Sequence, residues 1–124
     1  MFGWRKQSQS AVSLVNSRVE VFNVGLNLAM EWGEDWLQPI QRRLHQRFAS
    51  LTDAELDEAN AICQEAMRFG HSTVYELAEH SGKDTKYEQF VPIMTARFQW
   101  VNTDNLSRLF SQGMYYAWKD LGFA

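Results

Sequence analysis

Apolar residues recur at alternating spacings of three and four along almost the whole of this 124-residue chain. No stretch alternates apolar and polar residues as a half-buried strand would. Side chains three and four positions apart share one face of a helix, so this periodicity confines the chain to helical solutions. The first expected helix, from about Ser10 to Trp32, is the most constrained of them. Val12, Val15, Val19, Phe22, Leu26 and Ala29 form one stripe along it. Ala11, Leu14, Val21, Gly25, Leu28 and Trp32 form a second, adjoining stripe interrupted by Arg18. Two neighbouring stripes cover more than half the circumference, which requires burial on two sides.

Gly33-Glu34-Asp35 breaks the pattern, and a second helix is expected to carry Leu37, Ile40, Leu44, Phe48 and Leu51 on one face. Pro39 is tolerable there in the first turn, where its missing N–H is not needed. Thr52 and Glu55 make a capping box, in which each side chain satisfies the other's free backbone donor. The third helix then turns Leu56, Ala59, Ile62, Cys63, Ala66 and Met67 inward, and Gly70 reads as its stop. Thr73 and Glu76 form a second capping-box pattern, opening a short helix that closes at Gly82. Asp84 or Thr85 caps the next helix, which Pro92 kinks or delays. The last helix runs from Thr103 or Asp104 to Gly122. Connections of about two to six residues favour antiparallel neighbours. The expectation is an all-α fold, a compact antiparallel helical bundle of five or six helices forming one domain over residues 1–124, with a flexible end at 1–9. No repeat and no low-complexity linker is visible.

Charge and cysteine content narrow the setting. A net charge of -3 and a pI near 5.6 give no overall attraction to nucleic acid or to an anionic membrane. The lone Cys63 rules out an internal disulfide framework and fits a reducing compartment. The apolar run after Arg5 and Lys6 breaks at Asn16, Ser17 and Arg18, too early for a secretory signal, and Phe2 excludes N-terminal myristoylation. No window approaches the roughly 18 apolar residues of a membrane span. Cytoplasmic location without membrane attachment is the expectation. Phe2 and Trp4 beside two cations are too short an end for stable anchoring.

Few residues could carry chemistry. Cys63 falls mid-helix between Ala59 and Ala66, a place for a small core residue rather than for an activated thiolate. No Gly-x-Ser-x-Gly elbow occurs. His71, Glu76 and His80 are spaced so that two of them share a helix face, but a zinc site needs three or four ligands converging. No catalytic set, metal site or cofactor site is therefore assigned. Arg42, Arg43 and Arg47 make the one basic stretch and a candidate anion patch, opposed by an acidic third helix that can neutralise it. Residues 73–101 resemble a helix-turn-helix in the placing of Leu77, Ala78 and Gly82. Glu88 and Pro92 spoil the would-be recognition helix, and the cations are too few for phosphate contacts. Phe98, Trp100, Tyr115 and Trp118 are candidate aromatics for a pocket holding a flat apolar ligand.

Elimination leaves a non-catalytic interaction or regulatory module, self-associating or binding another protein through the second stripe of the first helix: Leu14, Val21, Gly25, Leu28 and Trp32. A small-molecule-binding bundle built on the second-half aromatics is the alternative, and a DNA-binding regulator over residues 73–101 is the third.

Overall fold

Helical spacing gives helices in the structure as well. The computed structural model describes the backbone of residues 11–123 and the side chains of residues 18–123. Among the described residues five α-helices follow one another: α1 (Ala11–Ala29), α2 (Gln41–Arg47), α3 (Asp53–Ser81), α4 (Tyr87–Arg97) and α5 (Thr103–Leu121). Short 3₁₀ turns lie at Gly33–Asp35 and Gly82–Asp84, and the described residues contain no strand. The all-α bundle expectation holds, with five helices among the described residues. The end expected at residues 1–9, including Phe2, Trp4, Arg5 and Lys6, lies outside the described residues, as does the side chain of Leu14.

Contacts divide the chain into two compact units, one closing at Glu65 and the other opening at Ala66. The core of the first gathers Phe22, Leu26, Met30, Ile40, Leu44, Leu56 and Ala59 around Cys63. The core of the second gathers Met67, Val74, Phe90, Met94, Leu106 and Leu109. α3 runs unbroken for 29 residues and gives residues to both.

Three local readings need correction. Gly70 does not stop the third helix; it is buried within α3, and a Cβ there would lie 3.1 Å from a Leu109 methyl carbon. Glycine is used at this position for close approach rather than for a left-handed cap. Thr73 and Glu76 consequently fall mid-helix and cap nothing. The expected second helix shrinks to Gln41–Arg47, because Leu37 leaves helical space altogether with φ 65. By contrast, the Thr52–Glu55 box forms as read: Thr52 N–H donates to Glu55 Oε1 at 2.8 Å, and Glu55 N–H to Thr52 Oγ1 at 3.1 Å. Gly82 and Gly122 close α3 and α5 with φ 55 and 72.

Contrary to the expectation of no repeat, the two units share one pattern at a spacing of fifty residues. α2 ends where Phe48 N–H bonds Leu44 O, and α4 ends where Phe98 N–H bonds Met94 O, at 2.9 and 2.8 Å. Leu51 N–H bonds Phe48 O and Val101 N–H bonds Phe98 O, both at 3.2 Å. Thr52 caps α3 by accepting from Glu55 N–H, as Asn102 caps α5 by accepting from Asn105 N–H at 2.9 Å. The buried residues Ile40, Leu44, Leu56, Ala59 and Cys63 correspond to the buried Phe90, Met94, Leu106, Leu109 and Gly113. Upstream the spacing is forty-nine: the turn in which Trp36 N–H bonds Gly33 O returns as Thr85 N–H to Gly82 O. By the same spacing, α1 residues correspond to those in the second half of α3.

Candidate functional site

In the second unit, the last turns of α3 and the middle of α4 leave a solvent-facing groove of about 350 Å³. Its lining is Phe69, Thr73, Glu76, Leu77 and His80 from α3 and Ile93 from α4. Phe69, Leu77 and Ile93 supply an apolar floor, and Thr73, Glu76 and His80 supply polar atoms. Ile93 is 41% exposed. At one side the guanidinium of Arg97 lies 4.6 Å from the Phe69 ring centroid.

At the corresponding place in the first unit a charged side chain folds inward. Arg43 stands where Ile93 stands, and it is turned inward with 8% exposure. Its Nη1 donates to Leu28 O at 2.9 Å and pairs with Glu31 Oε1 at 2.6 Å. Its Nη2 donates to Gln38 O at 3.3 Å and Pro39 O at 3.2 Å. A guanidinium offers five N–H donors in a planar fork, which suits it to several acceptors at once. The basic stretch expected of Arg42, Arg43 and Arg47 therefore does not present three cations together. Arg42 and Arg47 are exposed, whereas Arg43 is an internal strut. Arg42 also lines a shallower hollow of about 260 Å³ with Gln41, His45, Asp53 and Leu56, where an acidic neighbour faces it.

The dimer stripe read on the first helix is also turned inward at two positions. Val21 is 3% exposed, and a Cβ on Gly25 would meet Cys63 Sγ at 2.8 Å and Ile40 Cδ1 at 3.0 Å. That glycine lets helices of its own unit approach closely. Leu28 is half-buried and Trp32 is exposed, its ring stacked on Trp36 with centroids 4.5 Å apart.

The other singled-out residues separate. His71 turns away from Glu76 and His80: its Nε2 donates to Gln112 Oε1 at 3.0 Å, and its ring meets Tyr116 edge-on. Burial pushes its pKa down, opposed in part by the Gln112 hydrogen bond. Among the described residues, no three His, Cys, Asp or Glu side chains converge as metal ligands. Cys63 is fully buried, donates to Phe22 O at 3.2 Å, and has its thiol pKa pushed up to about 12 by desolvation. The four candidate pocket aromatics do not line the groove. Phe98 packs edge-on to Trp100 and Tyr115 lies against Trp118, with centroids 6.3 and 6.1 Å apart. In the 73–101 segment, α4 contains Pro92 and ends on Arg97. No described helix is long and apolar enough to cross a membrane.

The feature that sequence reading missed is the groove itself. Its signal was the contrast between Arg43 and Ile93, which carries meaning only once the fifty-residue correspondence is known. Comparison with protein-family models, with curated proteins and with solved structures found no match.

Proposed function

We propose that the chain is a non-catalytic interaction module that binds another protein through the α3–α4 groove of its second unit. One observation carries this reading: Ile93 remains 41% exposed over a groove of about 350 Å³ at the position where the first unit holds the buried Arg43. An apolar floor with a few polar atoms at its edge is the usual make-up of a recognition cleft. The stripe Leu14, Val21, Gly25, Leu28 and Trp32 is not proposed as the partner surface, since Val21 and Gly25 already pack within their own unit.

The test is site-specific photocrosslinking in the native host, with Ile93 replaced by benzoylphenylalanine. The expected result is one discrete adduct that is absent when the probe stands at the exposed Ala61 and lost with Glu76→Lys. Adducts from positions 93 and 61 that do not differ would end the proposal, and an adduct of twice the chain mass would replace the foreign partner with a second copy.

A further inference from the structure

We propose that the turn between α1 and α2 docks a positively charged, partly apolar segment of another protein on the stacked pair Trp32 and Trp36. This surface belongs to the first unit and does not depend on the α3–α4 groove. Trp32 serves it through the turn rather than through the α1 stripe.

Trp32 and Trp36 bracket the 3₁₀ turn Gly33–Asp35, and their rings stack with centroids 4.5 Å apart. Even so, Trp32 is 52% exposed, and Leu37, next to Trp36 in the chain, is 58% exposed. The turn itself does not require these side chains. It returns in the second unit, where Thr85 N–H bonds Gly82 O as Trp36 N–H bonds Gly33 O. At the spacing of forty-nine, Ser81, Thr85 and Lys86 stand in place of Trp32, Trp36 and Leu37. Thr85 is buried and donates its hydroxyl to Gly82 O at 2.7 Å. One turn is thus built from polar residues in one unit and carries two indoles and a leucine in the other. Leu37 also takes φ 65, whereas Lys86 is extended with φ -114. The first unit is one residue shorter here, and a left-handed residue makes the shortcut. Glycine or asparagine would make it at less cost. A bulky leucine kept in that conformation, with more than half its surface exposed, points to a use outside the fold.

The segment is held at both ends. Arg43 donates to Leu28 O and Glu31 on the α1 side of the turn, and to Gln38 O and Pro39 O on the α2 side. Ile40 N–H donates to Asn60 Oδ1 on α3 at 3.1 Å. A surface fixed in advance loses little freedom on binding. Charge then selects the occupant. Glu34 is exposed and Asp35 half-buried between the two indoles in the chain, and among the described residues neither enters an ion pair. The second unit has Lys83 in place of Glu34, so the charge reverses where the aromatics are lost. Indole faces attract ammonium and guanidinium groups, the carboxylates add to that attraction, and Leu37 offers apolar contact beside them. Two copies meeting through this turn would bring like carboxylates together, and an anionic lipid surface would be repelled.

The experiment titrates the ¹⁵N-labelled full chain with an amphipathic peptide of leucine and lysine, with its leucine and glutamate counterpart, and with phosphatidylcholine vesicles. Saturable shifts of the Trp32 and Trp36 indole N–H signals and of the Glu34 and Leu37 amides are expected from the lysine peptide alone. Trp32→Ser, which installs the second unit's residue, should weaken binding about tenfold or more, as loss of a central tryptophan does. Glu34→Lys should weaken it about threefold or more. Glu20→Lys, the same change of charge at an exposed position on α1, should leave it within about twofold, since salt screens distant charges. Benzoylphenylalanine at position 37 should give a discrete foreign adduct in the native host, lost with Glu34→Lys.

Equal shifts from the glutamate peptide, undiminished binding to Trp32→Ser, or equal weakening by Glu20→Lys and Glu34→Lys would overturn the proposal. The same indole shifts on vesicles without peptide would overturn it in favour of a lipid surface. An adduct of twice the chain mass from position 37 would overturn it in favour of a second copy.

Discussion

Gly25 on α1 faces Cys63 on α3 so closely that a methyl group on the glycine would lie 2.8 Å from the sulfur. In the second unit the corresponding contact is reversed: Val74 is the larger partner and Gly113 the glycine, where a Cβ would lie 2.6 Å from Val74 Cβ. One close helix approach is thus made twice, with the missing side chain on opposite helices. Gly25→Ala should destabilise the protein by about 1–3 kcal/mol despite alanine's better helix propensity, because overpacking outweighs that gain. Urea denaturation checks it. Cys63→Ala in the same chain should recover part of the loss, giving a coupling of at least about 0.5 kcal/mol in a double-mutant cycle.

Leu37 is a bulky residue held at φ 65 while 58% exposed, so little packing offsets its backbone cost. The left-handed conformation costs a non-glycine residue roughly 1–2 kcal/mol, and glycine loses about half of that advantage again through its freer unfolded state. Leu37→Gly should therefore raise stability by about 0.5–1 kcal/mol, read as a higher melting temperature. An unchanged or lower value would mean that the exposed leucine side chain has contacts worth more than the strain.

His71 makes stability depend on pH in a defined direction. Burial lowers its folded-state pKa below the ordinary 6.5, so the unfolded chain binds the proton more readily. The contribution is fully present above about pH 6.5 and is lost as pH falls through and below that value. Urea midpoints measured from pH 7.5 down to pH 5 should fall for the parent chain, and His71→Gln should remove that part of the slope. A parent slope unaffected by the substitution would place the pH dependence elsewhere.

Val21 decides what the second stripe of α1 does. At 3% exposure a carboxylate there would be buried without a partner, so Val21→Glu should give an unfolded or aggregated chain rather than a folded monomer. Circular dichroism and light scattering distinguish the outcomes. A helical, well-folded monomer would restore this stripe as an interface between copies.

The secondary structure was legible because helical spacing, the Thr52–Glu55 box and the two closing glycines are local signals. Gly70 and the Thr73–Glu76 pattern misled for the same reason. Taken locally they read as a stop and a start, but Leu109 packing on Gly70 belongs to tertiary structure. The repeat was hidden because few identities survive between its halves, among them Arg47 with Arg97, Phe48 with Phe98 and Leu56 with Leu106. The correspondence also slips by one residue between the 3₁₀ turns and the helices that follow. What persists is burial and capping geometry, which different residues can supply: threonine caps α3, whereas asparagine caps α5. The contrast between Ile93 and Arg43 depends on that correspondence, which local sequence signals do not carry.

Arg43 also bears on the valence expected of the proposed interaction. A chain made of two like halves would ordinarily offer two like seats and invite bivalent capture or cooperative filling. Arg43 is buried where Ile93 is exposed, so the proposed groove is expected to take one partner per chain, read calorimetrically as a stoichiometry of one.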